Sequence, residues 1–152
     1  MELPINKEHL KLGLQSIEVQ RFKYKLSLVR RIDMRVVHYL NQFFGGVGGE
    51  EFASTGVSSQ QGAVGPGRLL QQLIGGESEV ITTVICGDNY AAENLDEITD
   101  YVVNAVKEAK ADLFVAGPCF EAGRYGVAAG AMCAAVSAQV GIPVVTGMAE
   151  EN

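Results

Sequence analysis

The chain has no paired cysteines. Cys86, Cys119 and Cys133 stand apart, with no CxxC spacing among them. An odd number of isolated thiols argues against a disulfide framework and against a four-ligand zinc site, and a reducing cytoplasm is the expected compartment. No apolar run reaches the ~20 residues that a bilayer span needs. The N-terminus has no long apolar h-region of the kind a signal peptide carries. A soluble intracellular protein with no membrane association is expected. Phosphate-binding signatures are missing as well. Gly45-Gly46-Val47-Gly48-Gly49 does not fit GxGxxG, and GxxxxGK[ST] does not occur. Neither a dinucleotide nor a nucleoside triphosphate is indicated. There is no Ser-His-Asp elbow, no His/Glu metal constellation and no internal repeat, so no metal is expected. Basic residues are scarce: the formal net charge is −6, which gives no general attraction for nucleic acid.

That charge is uneven. Residues 1–33 carry seven Lys/Arg against four Asp/Glu, and residues 34–152 carry five against fourteen. The two parts also differ in pattern. Apolar and polar residues alternate over 12–19 and 22–29, which suggests strands with one wet face, although a helix over 6–14 also fits. Residues 1–33 are therefore expected to form a separate β-rich or mixed arm, a hairpin or an interaction segment.

From Met34 onward the expected order is β, α, β, α, β, α, β. The strands are Val36–Leu40, Val80–Ile85, Leu113–Ala116 and Ile142–Val145. The helices are Gly67–Ile74, one from Glu93 or Asn94 to about Lys110, and Tyr125–Val140. Residues 41–64 read as a long Gly/Ser/Gln-rich connection, of the length that is usually functional or mobile. Acidic residues crowd the first turns of the middle helix, and Lys107 and Lys110 its last, which suits the helix dipole. Strands apolar throughout are expected where helices cover both faces of a sheet. The fold class read from this is three-layer α/β, with a mostly parallel sheet of about four strands, Rossmann-like or flavodoxin-like.

Glycines and unusual polar residues sit where the apolar runs end. Val36–Leu40 runs into Asn41-Gln42-Phe43-Phe44-Gly45-Gly46. Val80–Ile85 runs into Cys86-Gly87-Asp88-Asn89-Tyr90. Leu113–Ala116 runs into Gly117-Pro118-Cys119-Phe120-Glu121-Ala122-Gly123-Arg124-Tyr125. Ile142–Val145 runs into Thr146-Gly147-Met148. In a parallel sheet these tails emerge at one edge, where open α/β sheets bind ligands. Asn41, Gly46, Asp88, Asn89, Glu121, Arg124, Tyr125 and Thr146 are the candidate substrate contacts. Arg124 can pair a carboxylate in a bidentate manner, and a surface salt bridge is the equal alternative. Cys86 and Cys119 are candidate nucleophiles only if a helix N-terminus lowers their pKa, and buried packing is the commoner role of a free cysteine. His38, late in an apolar strand, reads as a buried neutral histidine bonded to backbone. The chain stops soon after Thr146, within the presumed site loop. The first part of a longer protein, or a subunit completed by another chain, is therefore expected.

Several of these segments, in this order, carry a resemblance. Met34–Glu51, Gly62–Gly67, Val84–Tyr90, Phe114–Pro118, Ala122–Ala128 and Pro143–Met148 resemble the selenoprotein B subunits of the glycine/sarcosine/betaine reductases. The similarity spans Met34 to Asn152, about four fifths of the chain. It implies a cytoplasmic, multisubunit oxidoreductase complex of amino-acid-fermenting anaerobes. In that family component B captures glycine, sarcosine or betaine, with a pyruvoyl group on a companion subunit forming a Schiff base in the glycine case. The C–N bond is cleaved reductively, the carboxymethyl group passes to a selenocysteine of selenoprotein A, and acetyl phosphate is released. The implied partners are companion component B subunits and selenoprotein A, in a homo- or hetero-oligomer. The family's selenocysteine or cysteine redox motif lies in a downstream half absent from this sequence, and no pyruvoyl-generating cleavage site is visible. No cofactor is therefore expected on this chain. An assembly module without a ligand of its own, or a small-carboxylate-binding domain, is the alternative.

Overall fold

A computed structural model describes residues 33–150; the arm expected over 1–33 falls almost wholly outside the described residues. β1 (Arg35–Asn41) lies at the centre of a five-stranded sheet, with β2 (Ser58–Gln61), β3 (Glu79–Cys86), β4 (Leu113–Phe120) and β5 (Val144–Met148) in the order β2-β3-β1-β4-β5. β3, β1, β4 and β5 run parallel. β2 pairs antiparallel with β3, with Gln60 opposite Thr83. The sheet thus has one strand more than the four expected, and it is mixed. The sequence Ser-Ser-Gln-Gln shows no apolar alternation, because all four residues of β2 are exposed. Backbone pairing and the Ser59–Tyr101 hydroxyl contact, 2.9 Å, hold this edge.

The chain steps outward from β1 to β3, then crosses back over β1 to β4 and on to β5. The direction therefore reverses between β1 and β4, and the C-terminal edge at such a switch point is where open α/β sheets bind ligands.

Helices α1 (Gly67–Ile74), α2 (Asp88–Glu93), α3 (Leu95–Glu108) and α4 (Gly123–Val140) divide between the faces. The expected middle helix is α3, which Asn94 caps at φ −128°; the short α2 before it was not expected. On one face Val37, Tyr39, Val84, Phe114 and Ala116 pack against Ile98, Val102 and Val106 of α3 and Ala128, Ala129, Met132 and Val136 of α4. Small residues along α4 bring it close to the sheet, and Gly141 ends it in the left-handed conformation at φ +76°. On the other face α1 lies over β1 and β3, where Gln71 donates to the Ser78 carbonyl and accepts from the Val80 amide. Among the described residues this face is closed only in part, where both faces were expected to be covered. Val145 remains 52% exposed, and Leu69 and Leu73 of α1 are 58% and 75% exposed. β5 also starts two residues later than expected, after Pro143, which has no N–H to give to a ladder.

The segment 53–55 crosses directly over the turn between β3 and α2. The Gly87 amide donates to Thr55 O, and Ala53 O accepts from the Asn89 and Tyr90 amides. A Cβ on Gly87 would stand 2.2 Å from Ala53 O. Neither backbone can yield without breaking those bonds. Gly87→Ala should therefore cost about 2 kcal/mol or more, the scale of core overpacking. Urea unfolding followed by circular dichroism checks this.

Candidate functional site

The C-terminal ends of the four parallel strands share one rim. Asn41, the last residue of β1, donates from Nδ2 to Asp88 Oδ2 at 2.9 Å, and its Oδ1 accepts from the Phe44 amide at 3.0 Å. Gln42 Oε1 accepts from the Asp88 amide at 3.0 Å. The turn after β1 is thereby clamped to the start of α2. Asp88 is 7% exposed, and its second oxygen, Oδ1, has no partner. Burial pushes its carboxyl above the ordinary range, while the Asn41 bond and the Arg124 charge pull it back.

Outside this clamp stands Arg124, on the first turn of α4. Its guanidinium donates to Asn89 Oδ1 and pairs with Glu50 Oε1 at 2.8 Å, in a pair open to solvent on both sides. Such an exposed pair adds little to stability and exchanges readily with another anion. Beside it runs an aromatic row. Phe44 contacts Phe43, Phe120 and Tyr125 at centroid distances of 5.3, 5.6 and 6.2 Å.

The remaining expected contacts divide. Gly46 is exposed in the β1 turn at φ +76°. Thr146 is exposed on β5, with its hydroxyl 3.8 Å from Cys119 Sγ. Glu121 lines a separate pocket with Phe120 and Met148. Tyr125 is wholly buried, its hydroxyl donating to Tyr39 O at 3.4 Å. It supports the aromatic row from beneath and presents no surface to a ligand. Two further residues complete the site: Gln42 and Glu50. Nothing in the sequence links Glu50 to an arginine 74 positions away. Gln42 had a visible signal, since it adjoins Asn41 at a strand end.

Below the rim lies His38, 1% exposed, with Nε2–H donating to Gly117 O at 2.6 Å, as a buried backbone-bonded histidine should. Nδ1 has no partner, and desolvation lowers the pKa. The three thiols are buried. Burial and the neighbouring Asp88 push Cys86 up to about 12, and burial pushes Cys133 up to about 11; Cys119 is raised by the same cause. A thiolate nucleophile needs the opposite shift. Among the described residues no cluster of three or more His, Cys, Asp or Glu is arranged to hold a metal, and no helix is long and apolar enough to cross a membrane.

The sequence model of the glycine/sarcosine/betaine reductase selenoprotein B family matches residues 33–152. The chain belongs to this family. It is 56% identical over 118 residues to the glycine reductase complex component B subunit gamma of Carboxydothermus hydrogenoformans. It is 53% identical over 119 residues to the sarcosine reductase complex component B subunit beta of Peptoclostridium acidaminophilum. It is 42% identical over 118 residues to the betaine reductase complex component B subunit beta of the same organism. Each alignment covers 78% of this chain, which spans 27% of the length of those relatives. No solved structure matches it.

The raised thiol pKa values make a direct prediction. At pH 8 native Cys86 should react with iodoacetamide about a thousandfold more slowly than free cysteine, from its thiolate fraction alone. Urea should restore the ordinary rate. The sign for stability follows from linkage. The folded pKa lies above the unfolded one, so the contribution is complete below the ordinary thiol pKa and is lost as pH rises towards about 12. Mass spectrometry of alkylated thiols across pH reads the first effect, and thermal melts between neutral and alkaline pH read the second.

Proposed function

We propose that this chain supplies part of the substrate-capturing surface of a component B subunit in a glycine, sarcosine or betaine reductase. The single observation that carries the reading is Arg124. It is an exposed guanidinium on the C-terminal rim of the sheet, held among the described residues by an exchangeable carboxylate and an amide. A substrate carboxylate takes the place of Glu50 and receives two parallel N–H donors. Asn89 keeps the guanidinium plane oriented. Asn41, Gln42 and Asp88 hold the turn on which Asn89 sits. Gly46 and Thr146 border the entrance. The strand order supports a doubly wound, flavodoxin-like domain, in which small ligands bind at this edge.

The redox chemistry belongs to other segments and subunits in this reading. The selenocysteine and pyruvoyl groups of the family supply covalent capture and electron transfer. The buried, raised-pKa thiols here do not suit that task, and no step is assigned to them. The working assembly is a cytoplasmic complex with companion component B subunits and selenoprotein A, which yields acetyl phosphate. A second reading, an assembly module, is favoured by the exposed Leu69, Leu73 and Val145. Native mass spectrometry of the component separates the two. Loss of partners on Leu73→Asp with ligand affinity intact would favour assembly.

Calorimetry with glycine, sarcosine and betaine on the intact component tests capture. Arg124→Ala should weaken binding by about tenfold or more, the worth of a charge-assisted bidentate contact. Glu50→Gln should tighten it, because the resident competitor loses its charge. Affinity unchanged in both variants would remove Arg124 from the site.

A further inference from the structure

We propose that the open half of the α1 face is a docking trough for one amphipathic helix of the same polypeptide, from the part that the relatives carry outside the stretch they share with this chain. The inference stands apart from substrate capture and does not involve Arg124.

The trough has a floor and one wall. β4 and β5 form the floor. Phe114, Ala116 and Val144 pack into the α3–α4 core, so strand alternation turns Val115, Gly117, Val145 and Gly147 to the opposite face. The wall is α1. Pro66 and Leu70 line a groove with His38, Val115, Gly117 and Gly147, whereas Gln71 turns away to Ser78 and Val80. A helix rotates by about 100° per residue, so Leu69 and Leu73 fall on the groove side of α1 with Leu70, and Arg68 and Gln72 on the far side. Leu69, Leu73 and Val145 are all exposed. The wall is therefore leucine and the floor valine and glycine. A Cβ on Gly147 would meet nothing within 4 Å, and a glycine in a strand marks a place where another backbone can approach closely.

The possible occupants are not equal. The groove holds about 210 Å³, below the roughly 300–1,000 Å³ of small-ligand pockets. Its one polar side chain is already engaged: His38 Nε2 bonds Gly117 O, and Gly67 stands so near Nδ1 that a Cβ there would lie 2.7 Å away. A second copy brings another body with five Lys/Arg against fourteen Asp/Glu over 34–152, and like charges oppose that contact. A separate subunit loses translational and rotational freedom on docking, which a tethered segment does not. The relatives have the length for such a segment, since the shared stretch is 27% of each. Parallel strands are ordinarily covered on both faces, and among the described residues a helix packs on β4 and β5 from the α4 side alone. A helix with apolar residues at i, i+3, i+4 and i+7 lies in a groove of this form. The wall is eight residues long, about 12 Å, which matches about two turns of such a helix. Docking removes from water the same leucines that the assembly reading gives to partner subunits, so the two readings predict different contacts.

The test uses the intact component. Photo-leucine, a near-isosteric analogue, replaces leucine throughout, and cross-links from positions 69 and 73 are mapped by mass spectrometry. They should land in the same polypeptide, outside the shared stretch. Burial is read separately from the alkylation of Leu73→Cys and Gln72→Cys, against a background of buried native thiols. In the 152-residue chain the two variants should react alike. In the component Leu73→Cys should react about tenfold or more slowly than Gln72→Cys, as a site that is reached only by local opening does. Val145→Cys repeats the measurement on the floor if Leu73→Cys fails to fold. Cross-links to a companion subunit or to a second copy, no cross-link outside the shared stretch, or equal alkylation at 72 and 73 in the component would overturn the proposal.

Discussion

The buried clamp at Asp88 is the interaction on which the rim depends. The β1 and β3 exits would otherwise be loops with nothing to fix their relative height. Asn41 and Gln42, at the end of β1, reach the side chain and the amide of Asp88 at the start of α2, so the β1 and β3 exits become one unit. A hydrogen bond to a charged group is worth about 1.5–3 kcal/mol, and an unpaired buried oxygen costs about 1–3. Asp88 has both, through Oδ2 and Oδ1. The balance is close to even, which explains a carboxyl whose pKa is raised although it accepts a bond. What the clamp gives is position. It sets Asn89 where the Arg124 guanidinium can be met from the other side of β1.

The two faces of the sheet explain why chemistry gathers at that edge. The α3–α4 face is sealed by β-branched and small residues, and the thiols and Tyr39 are locked inside it. The α1 face is closed over β1 and β3, where Gly67 approaches His38 so tightly that a Cβ would stand 2.7 Å from Nδ1. Over β4 and β5 it is open, and the apolar side chains there meet solvent. The C-terminal ends of the strands carry polar groups with freedom to exchange partners, Arg124 and Glu50 among them.

The parallel core was legible in the sequence because each strand is a short apolar run closed by glycine or polar residues, and each helix has its own stop. Val36–Leu40, Gly67–Ile74 and the Gly141 terminus fall within a residue or two of the structure. β2 was not legible, since an exposed edge strand without apolar side chains leaves no hydrophobic signature. The start of α3 at Asn94 was legible, whereas the short α2 was not, because Asp88–Glu93 follows the β3 exit directly and reads as part of the strand-end turn. At the site, residue types at strand ends pointed to Asn41, Asp88, Asn89 and Arg124. Pairing across the rim was out of reach: Glu50 meets Arg124 only because the 3-10 turn Glu50–Phe52 folds back over the β3 exit. Tyr125 shows the opposite limit. Its position beside Arg124 suggested a surface role, but one step along a helix turns a side chain by about 100°, here from solvent into the core.

Charge and burial decide which chemistry the rim can host. A nucleophilic thiol needs a cation or a helix N-terminus that favours its ionised form. Cys86 follows β3 directly and precedes α2, so proximity alone would suggest activation. Two effects win over it. The side chain sits in the sealed face, and the nearest formal charge is the carboxyl of Asp88, so both desolvation and repulsion oppose the thiolate. Arg124 lies under the reverse conditions, since it is exposed and flanked by Glu50 and Asp88, and its charge is reinforced. The permanent charge available to a ligand on this side of the rim is thus a guanidinium, and binding and orientation of an anionic group are the tasks it suits.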